Sequence, residues 1–598
     1  MIRILMSILL VGSLLTGCAT TETTETSVSE KGIESAIETS ATTTTETTSV
    51  EDMTKLCMTE LETAKSDSVT YVENDEYAQW LNKEFTTITL NGDSITTSGT
   101  GVSVEGSDLT ITEGGYYSFS GTLTDGSITI TAAEDADVFL LFDGVSITCS
   151  DGAAINETTA DKVVISLVEG TTNTITDGTT YAAAGEEDAN AAIYCQDSLT
   201  INGTGSLIVN GNYNNGITSK DTLKIMEGIL TVNAVDDALL GKDLLAVKSG
   251  TITINSGGDA IKSSQTDDTE KGIVILEGGT YQITSGAKAI QATQRIYIGG
   301  GTFEIASVDD AIHGNGFVGI ENGTINITSE DDGIHADSKL YIAGGTITIT
   351  KSYEGLEAAN IVIAGGDINV TASDDGLNAA GGNDASSVNG REGQNSFEAS
   401  GDYQLSICGG NLVVNATGDG LDSNGNLYMT GGTAIVSGPV NDGNAVLDFG
   451  SEFAMTGGTL LATGSSGMLQ TISTSSTQFA VTQTLTETQA AGTTITLKDG
   501  ETVLATFEAE KEFNAIIICT KDLEEGKEYT LNYGTQTVSV TAEAGSQSSQ
   551  MGQGPMGGGM GGGRMEDGTA PSGDMATPPD GTAPTAPEDG TVPTKKGI

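Results

Sequence analysis

Residues 301–350 read GTFEIASVDDAIHGNGFVGIENGTINITSEDDGIHADSKLYIAGGTITIT, and the pattern returns every 22 residues. A Gly opens a β-rich run at Gly301, Gly323 and Gly345. The same anchor recurs at Gly228, Gly250, Gly279, Gly366, Gly410, Gly432 and Gly458, with most gaps 21 or 22 residues. Apolar residues hold fixed columns around it: five and three before (Leu245/Val247, Ile296/Ile298, Leu340/Ile342), two and four after (Ile252/Ile254, Phe303/Ile305, Ile347/Ile349) and eleven after (Leu239, Ile261, Ile312, Ile334, Leu356). Alternation at period two marks strands, so each repeat carries two strands and a third short one between turns. A constant period with identical columns does not suit a two-sheet sandwich. It predicts an all-β, right-handed parallel β-helix with three sheets and aliphatic ladders inside. Weaker anchors at Gly115, Gly144, Gly170 and Gly205 bring the count to about 14 coils. At ~4.8 Å per coil the rod is on the order of 65 Å long.

The same register exposes a column of acids. Nine residues past successive anchors stand Asp237, Asp259, Lys288, Asp310, Asp332, Glu354, Asp375 and Asp419, and eight past stand Asp236, Gly258, Ala287, Asp309, Asp331, Tyr353, Asp374 and Gly418. Stacked ~4.8 Å apart, two full charges repel by roughly 0.9 kcal/mol in water and by about 3.5 kcal/mol at an effective dielectric near 20. Several in a row rival the net stability of a domain. Divalent cations answer this better than wholesale protonation. Calcium suits a site of paired Asp, Asn and turn carbonyls, because it takes six to eight oxygens with loose geometry. The predicted calcium ligands are Asp236, Asp237, Asp259, Asp309, Asp310, Asp331, Asp332, Glu354, Asp374, Asp375 and Asp419. The competing explanation is a solvated acidic face with diffuse counterions. Twelve past the anchor, Lys262, His313, His335, Glu357, Asn378 and Asp422 form a polar row, expected to be exposed and to meet a polar polymer.

Lys and Arg number 24 against 82 Asp and Glu, a formal charge of −58, which argues against nucleic acid as a partner. Residues 1–17 read as a signal peptide: Arg3, an apolar run, then LTGC ending at Cys18. LTGC resembles the bacterial lipobox, which implies a lipidated Cys18 and extracytoplasmic anchoring to the cell membrane. The other five cysteines show no disulfide framework. Residues 18–84 are rich in Thr, Ser and Glu and read as a linker, 85–475 as the β-helix, 476–544 as a small antiparallel β cap, and 545–598 as a disordered Gly/Met/Pro/Thr tail. The stretch GGNDASSVNGREGQNSFEASGDY fills the 44-residue gap before Gly410 and reads as an excursion from the rod.

Several phrases, SITITAAEDADVFLLFDGVSIT, DKVVISLVEGTTNTITDG, LTINGTGSLIVNGNYNNGITSKD and the recurring DDG or DDA element, resemble the bacterial β-helix carbohydrate-binding domain-containing lipoproteins, related in shape to pectate lyases. The resemblance runs from about residue 85 to 475. It implies calcium-dependent binding of polysaccharide, acidic glycans such as polygalacturonate and also cellulose, without catalysis, and it places the calcium-binding acids on the Asp-Asp positions. Lys288, Ala287 and Gly258 depart from that pattern, so the coil near Lys288 is expected to hold no ion. The alternatives are a polysaccharide lyase and a surface spacer or adhesin. A lyase needs a strong base beside the acids, and the coils offer Arg295 and Arg391, neither on the acid column. Tyr297, Tyr341 and Tyr428 point outward by parity and are the candidates for a sugar-stacking platform.

Overall fold

The computed structural model describes residues 49–67, 69–77, 82–182, 189–380 and 403–546. The signal peptide, Cys18, Arg391 and the tail from residue 547 lie outside them. The described chain is a parallel β-solenoid of about 14 turns with a separate antiparallel sheet, as the repeat predicts. The first sheet stacks the six-residue strands after each anchor, with Ile252 over Tyr281, Phe303 over Ile325 and Ile325 over Ile347 in register. The second stacks short strands such as Ile312–Gly314, and the third stacks strands such as Arg295–Ile298. Every aliphatic column of the sequence points inward and is shut off from solvent in one continuous core. Gly250 shows why the anchor is Gly: its φ is +133°, and a Cβ there would sit 3.0 Å from the Gly228 carbonyl oxygen one coil below.

The 44-residue gap adds no coil. Leu377 pairs directly with Leu421 and Ile361 with Leu405, and the excursion expected over 381–402 lies outside the described residues. At the far end, Glu452–Gly464 pairs antiparallel with Phe513–Thr520, which in turn pairs with Phe479–Gln489. These strands cover the open edge that a β-helix would otherwise present. Four further strands make the separate sheet, packed on its own core around Leu497, Phe507 and Leu531.

The largest departure from expectation lies in residues 18–84, read as a solvated linker. Within them Val50–Asp67 forms a helix, α1, whose Met53, Cys57 and Leu61 are buried against Tyr297, Phe317 and Tyr341 of the third sheet. Glu60 pairs with Lys339 at 2.7 Å, and Lys65 with Glu321 at 2.9 Å. Gly319 makes room for the helix, since a Cβ there would lie 2.6 Å from Leu61 Cδ1. Further on, Asp75 is fully buried, with Lys162 at 2.8 Å, Lys224 at 3.2 Å and a hydrogen bond from Thr200 Oγ1 at 2.8 Å. Composition pointed to a spacer because Thr, Ser and Glu dominate on average; the few apolar residues at helical spacing were outvoted. The same contacts remove the tyrosine platform. Tyr297 and Tyr341 do point away from the core, but α1 covers them and leaves each 3% exposed.

Gly319→Val should displace Leu61 and cost about 1–3 kcal/mol, read as a lower urea midpoint with unchanged slope. Glu157 is fully buried on the second sheet; its Oε2 accepts the Asp197 N–H at 3.0 Å, while Oε1 has no hydrogen-bond partner. Burial, with the Asp197 charge added, pushes its carboxyl up to about 7. A raised acid contributes stability below the ordinary carboxylate range and loses it as pH rises through about 7. Glu157→Gln should therefore gain on the parent protein as pH rises, by up to about 3 kcal/mol above pH 7. Melting temperatures that stay parallel from pH 5 to 8 would contradict this.

Candidate cation and glycan site

The acid columns occupy the corner between the first and second sheets, and the structure shows what holds them there. Along most of the nine-past column, at Asp237, Asp259, Asp310, Asp332 and Asp375, one carboxylate oxygen accepts the backbone N–H of its successor one coil on. Asp259 N donates to Asp237 Oδ1 at 2.9 Å, Lys288 N to Asp259 Oδ1 at 3.0 Å, Glu354 N to Asp332 Oδ1 at 3.0 Å and Asp419 N to Asp375 Oδ1 at 2.6 Å. The bonds satisfy turn N–H groups that no strand ladder reaches. The eight-past column is shaped by size. A Cβ at Gly258 would meet Asp236 Oδ1 at 2.2 Å, and one at Gly418 would meet Asp375 Oδ1 at 2.2 Å, so these glycines clear space for carboxylates below.

The second oxygen of each acid faces the twelve-past row, which stacks in register as Lys262, Gln291, His313, His335, Glu357, Asn378, Asp422 and Asp448. This row is less open than expected. His335 and Glu357 are buried, Asn378 is nearly so, and Lys262, His313 and Asp422 are half-buried. The acids draw the cationic members inward. Lys262 Nζ stands 3.0 Å from Asp237 Oδ2 and 2.8 Å from Asp259 Oδ2. Lys288 reaches Asp309 at 2.7 Å and Asp310 at 3.0 Å. His313 binds Asp310 Oδ2 through Nδ1 at 2.5 Å and Asp337 Oδ1 through Nε2 at 3.2 Å.

The titration behaviour divides the ladder in two. Burial opposes the charge of Lys262, but Asp259 and Asp237 outweigh it and raise the ammonium to about 12. Burial also opposes Asp310, yet His313 and Lys288 hold its carboxyl well below the usual range. Farther along the order reverses. Burial pushes Asp419 up to about 7, with the Asp448 and Asp374 charges added. Burial and the charges of Asp375, Asp419 and Asp448 push Asp422 well above the carboxylate range. Ligand oxygens of Asp375, Asp419 and Asp422 lie within 4.8 Å of one another, and no ion pair to Asp419 or Asp422 is found among the described residues. Asp331, 3% exposed and without a hydrogen bond to Oδ2, rises to about 7 from burial and then from Asp332, Asp310 and Asp309.

An oxygen-only dication therefore fits the Asp375, Asp419 and Asp422 end. It does not fit between Asp237 and Asp259, where a lysine ammonium already stands. This narrows the calcium column expected from sequence. Counting offsets from the anchor also missed Asp448, because extra turn residues shift it to sixteen past Gly432, and Asp337, which belongs to no repeat column.

Residues 105–355 and 307–402 match the profile described as "Carbohydrate-binding domain-containing protein". Through these residues the chain belongs to that family. A carbohydrate-binding domain-containing protein of Acetivibrio thermocellus is 42% identical over 136 residues, which cover 22% of this chain and 48% of that one. The chain thus spans about half the length of the curated relative it matches. A solved structure, a polysaccharide lyase-like protein from C. thermocellum in a gadolinium derivative, is 34% identical, with a TM-score of 0.39, and covers 40% of this chain and 97% of that one. The family profile spans the ladder from Asp236 to Asp375 and stops short of Asp419.

Lys262 offers a direct test of self-neutralisation in this family member. Lys262→Met should leave Asp237 and Asp259 facing each other. The expected cost is about 1–3 kcal/mol at pH 7, discounted for partial exposure and shrinking towards pH 4, measured by urea unfolding.

Proposed function

We propose that the protein is a calcium-dependent, non-catalytic polysaccharide-binding protein of the cell surface, anchored through Cys18, with acidic glycans such as polygalacturonate as ligand class and cellulose as the neutral alternative. The observation that carries this reading is the carboxylate group at Asp375, Asp419 and Asp422, whose ligand oxygens crowd within 4.8 Å and in which Asp419 and Asp422 are lifted in pKa. Asp374 and Asp448 flank it. Calcium held there would supply positive charge on a face that otherwise repels uronates, given the −58 net charge. Family membership supports the glycan as the class of partner. The half-buried Asp422 and the neighbouring Asn378 supply polar atoms beside the ion.

A lyase reading finds no support at the ladder. Arg295 faces Glu270 at 4.0 Å, and the ladder cations Lys262, Lys288 and His313 are each held between carboxylates.

Calcium must displace protons from these acids, which sets a pH signature. With chelator present, the raised Asp419 contributes stability at low pH that disappears as pH rises through about 7. Calcium should raise the melting temperature at pH 8 and do little at pH 5.5. Asp419→Asn with Asp422→Asn should abolish that increment. Retention on polygalacturonate should require calcium, vanish with EDTA and vanish in the double variant, with no ultraviolet-absorbing unsaturated product. Retention unchanged by EDTA would overturn the proposal, and unsaturated product would make the protein a lyase.

A further inference from the structure

The chain has two histidines, and they stand on adjacent coils with ring centroids 4.4 Å apart. Their surroundings differ. His313 binds one carboxylate through each ring nitrogen, Asp310 at 2.5 Å and Asp337 at 3.2 Å, so it needs both protons and acts as a local cation. His335 Nδ1 instead lies 3.5 Å from Asp332 Oδ2 and 3.5 Å from Glu357 Oε2. Both separations exceed the usual N–H···O range of ~2.7–3.2 Å. They approach the ligand-to-ligand edge of a tetrahedral site, ~3.3–3.5 Å for metal bonds of about 2.0–2.1 Å.

Burial sharpens the contrast. Asp332, His335 and Glu357 are 1%, 5% and 0% exposed, and Asp332 Oδ2 accepts no hydrogen bond. The ligand atoms of the three lie within 4.8 Å of one another. An imidazole nitrogen is a poor donor for calcium, which prefers oxygens, and a good one for zinc and its neighbours. We propose that His335 Nδ1, Asp332 Oδ2 and Glu357 Oε2 form a zinc-type transition-metal centre, chemically separate from the oxygen-only end of the ladder. A water would complete four-coordination. Asp337 Oδ1, 3.7 Å from His335 Nε2, stands where an outer carboxylate orients a metal-bound imidazole. The bound dication would reduce repulsion among Asp331, Asp332 and Glu357 in the coils that Lys262 does not reach. The centre stands whether or not the ladder meets a glycan.

With two histidines, the imidazole spectrum of the whole chain is its own probe. The full-length protein, made without a polyhistidine tag and labelled with ¹⁵N at histidine, is titrated with zinc in excess calcium. One equivalent should shift the Nδ1 resonance of His335 strongly, and cobalt should give the visible absorption of a four-coordinate site. His335→Gln should lower zinc affinity at least about 100-fold, and Asp337→Asn by about 10-fold. A zinc signal that calcium erases, or zinc affinity unchanged in both His335→Gln and Glu357→Gln, would overturn the centre. Loss of zinc binding in Glu357→Gln, a near-isosteric change, with the solenoid's circular dichroism intact would sustain it.

Discussion

A carboxylate oxygen accepting the backbone N–H one coil further along is the bond on which the corner of this solenoid depends. The turn between the first and second sheets leaves an N–H that no strand partner reaches, and an Asp or Glu one coil below supplies the acceptor. Water or a serine could do so once. A repeat meets the same demand coil after coil, and so acids fill most of the column, with Asp309 taking over as acceptor for Asp310 N where Lys288 interrupts it. Their alignment is a by-product of folding, and their second oxygens are then forced together along one edge of the second sheet. The need for cations follows from how the chain turns.

The protein meets that need in more than one way along its length. Lys262, Lys288 and His313 neutralise the middle coils with side chains. Asp375, Asp419 and Asp422 remain close together, the latter two lifted in pKa, a region suited to an external ion. Between them sits His335, whose nitrogen changes the kind of ion that fits. Whether the column neutralises itself or leaves carboxylates facing one another thus varies from coil to coil with the side chains nine and twelve past the anchor.

The rod was legible because a period of 22 residues leaves little freedom: the columns for Ile252, Ile312 and Leu340 are all buried as their spacing required. The acid columns were legible for the same reason. What the spacing could not convey was direction within a side chain. Lys262 stands in the row expected to meet sugar, while its charge beside the column of acids already suggests that it neutralises them, and two carboxylates do hold its ammonium. Asp448 and Asp337 lie off the fixed offsets, and α1 carries too few apolar residues, among Thr and Glu, to stand out by composition. Tyr297 and Tyr341 had the right parity, but parity gives no account of what covers a face.

That covering segment changes how the rod behaves as a mechanical object. A solenoid couples each coil only to its neighbours, so it can fray or unzip one turn at a time. Here α1 touches the third-sheet strands from Arg295–Ile298 to Leu356–Ile363, with Thr54 3.7 Å from Cys408 on the next coil. The segment after it continues along the same face to Lys248, Lys224, Thr200 and Lys162. Residues 50–76 therefore run lengthwise across ten successive third-sheet strands, as a batten lies across planks. Tension drawn through the chain ahead of α1 would load many coils in shear together, and a turn in the middle of the rod could not open without its neighbours.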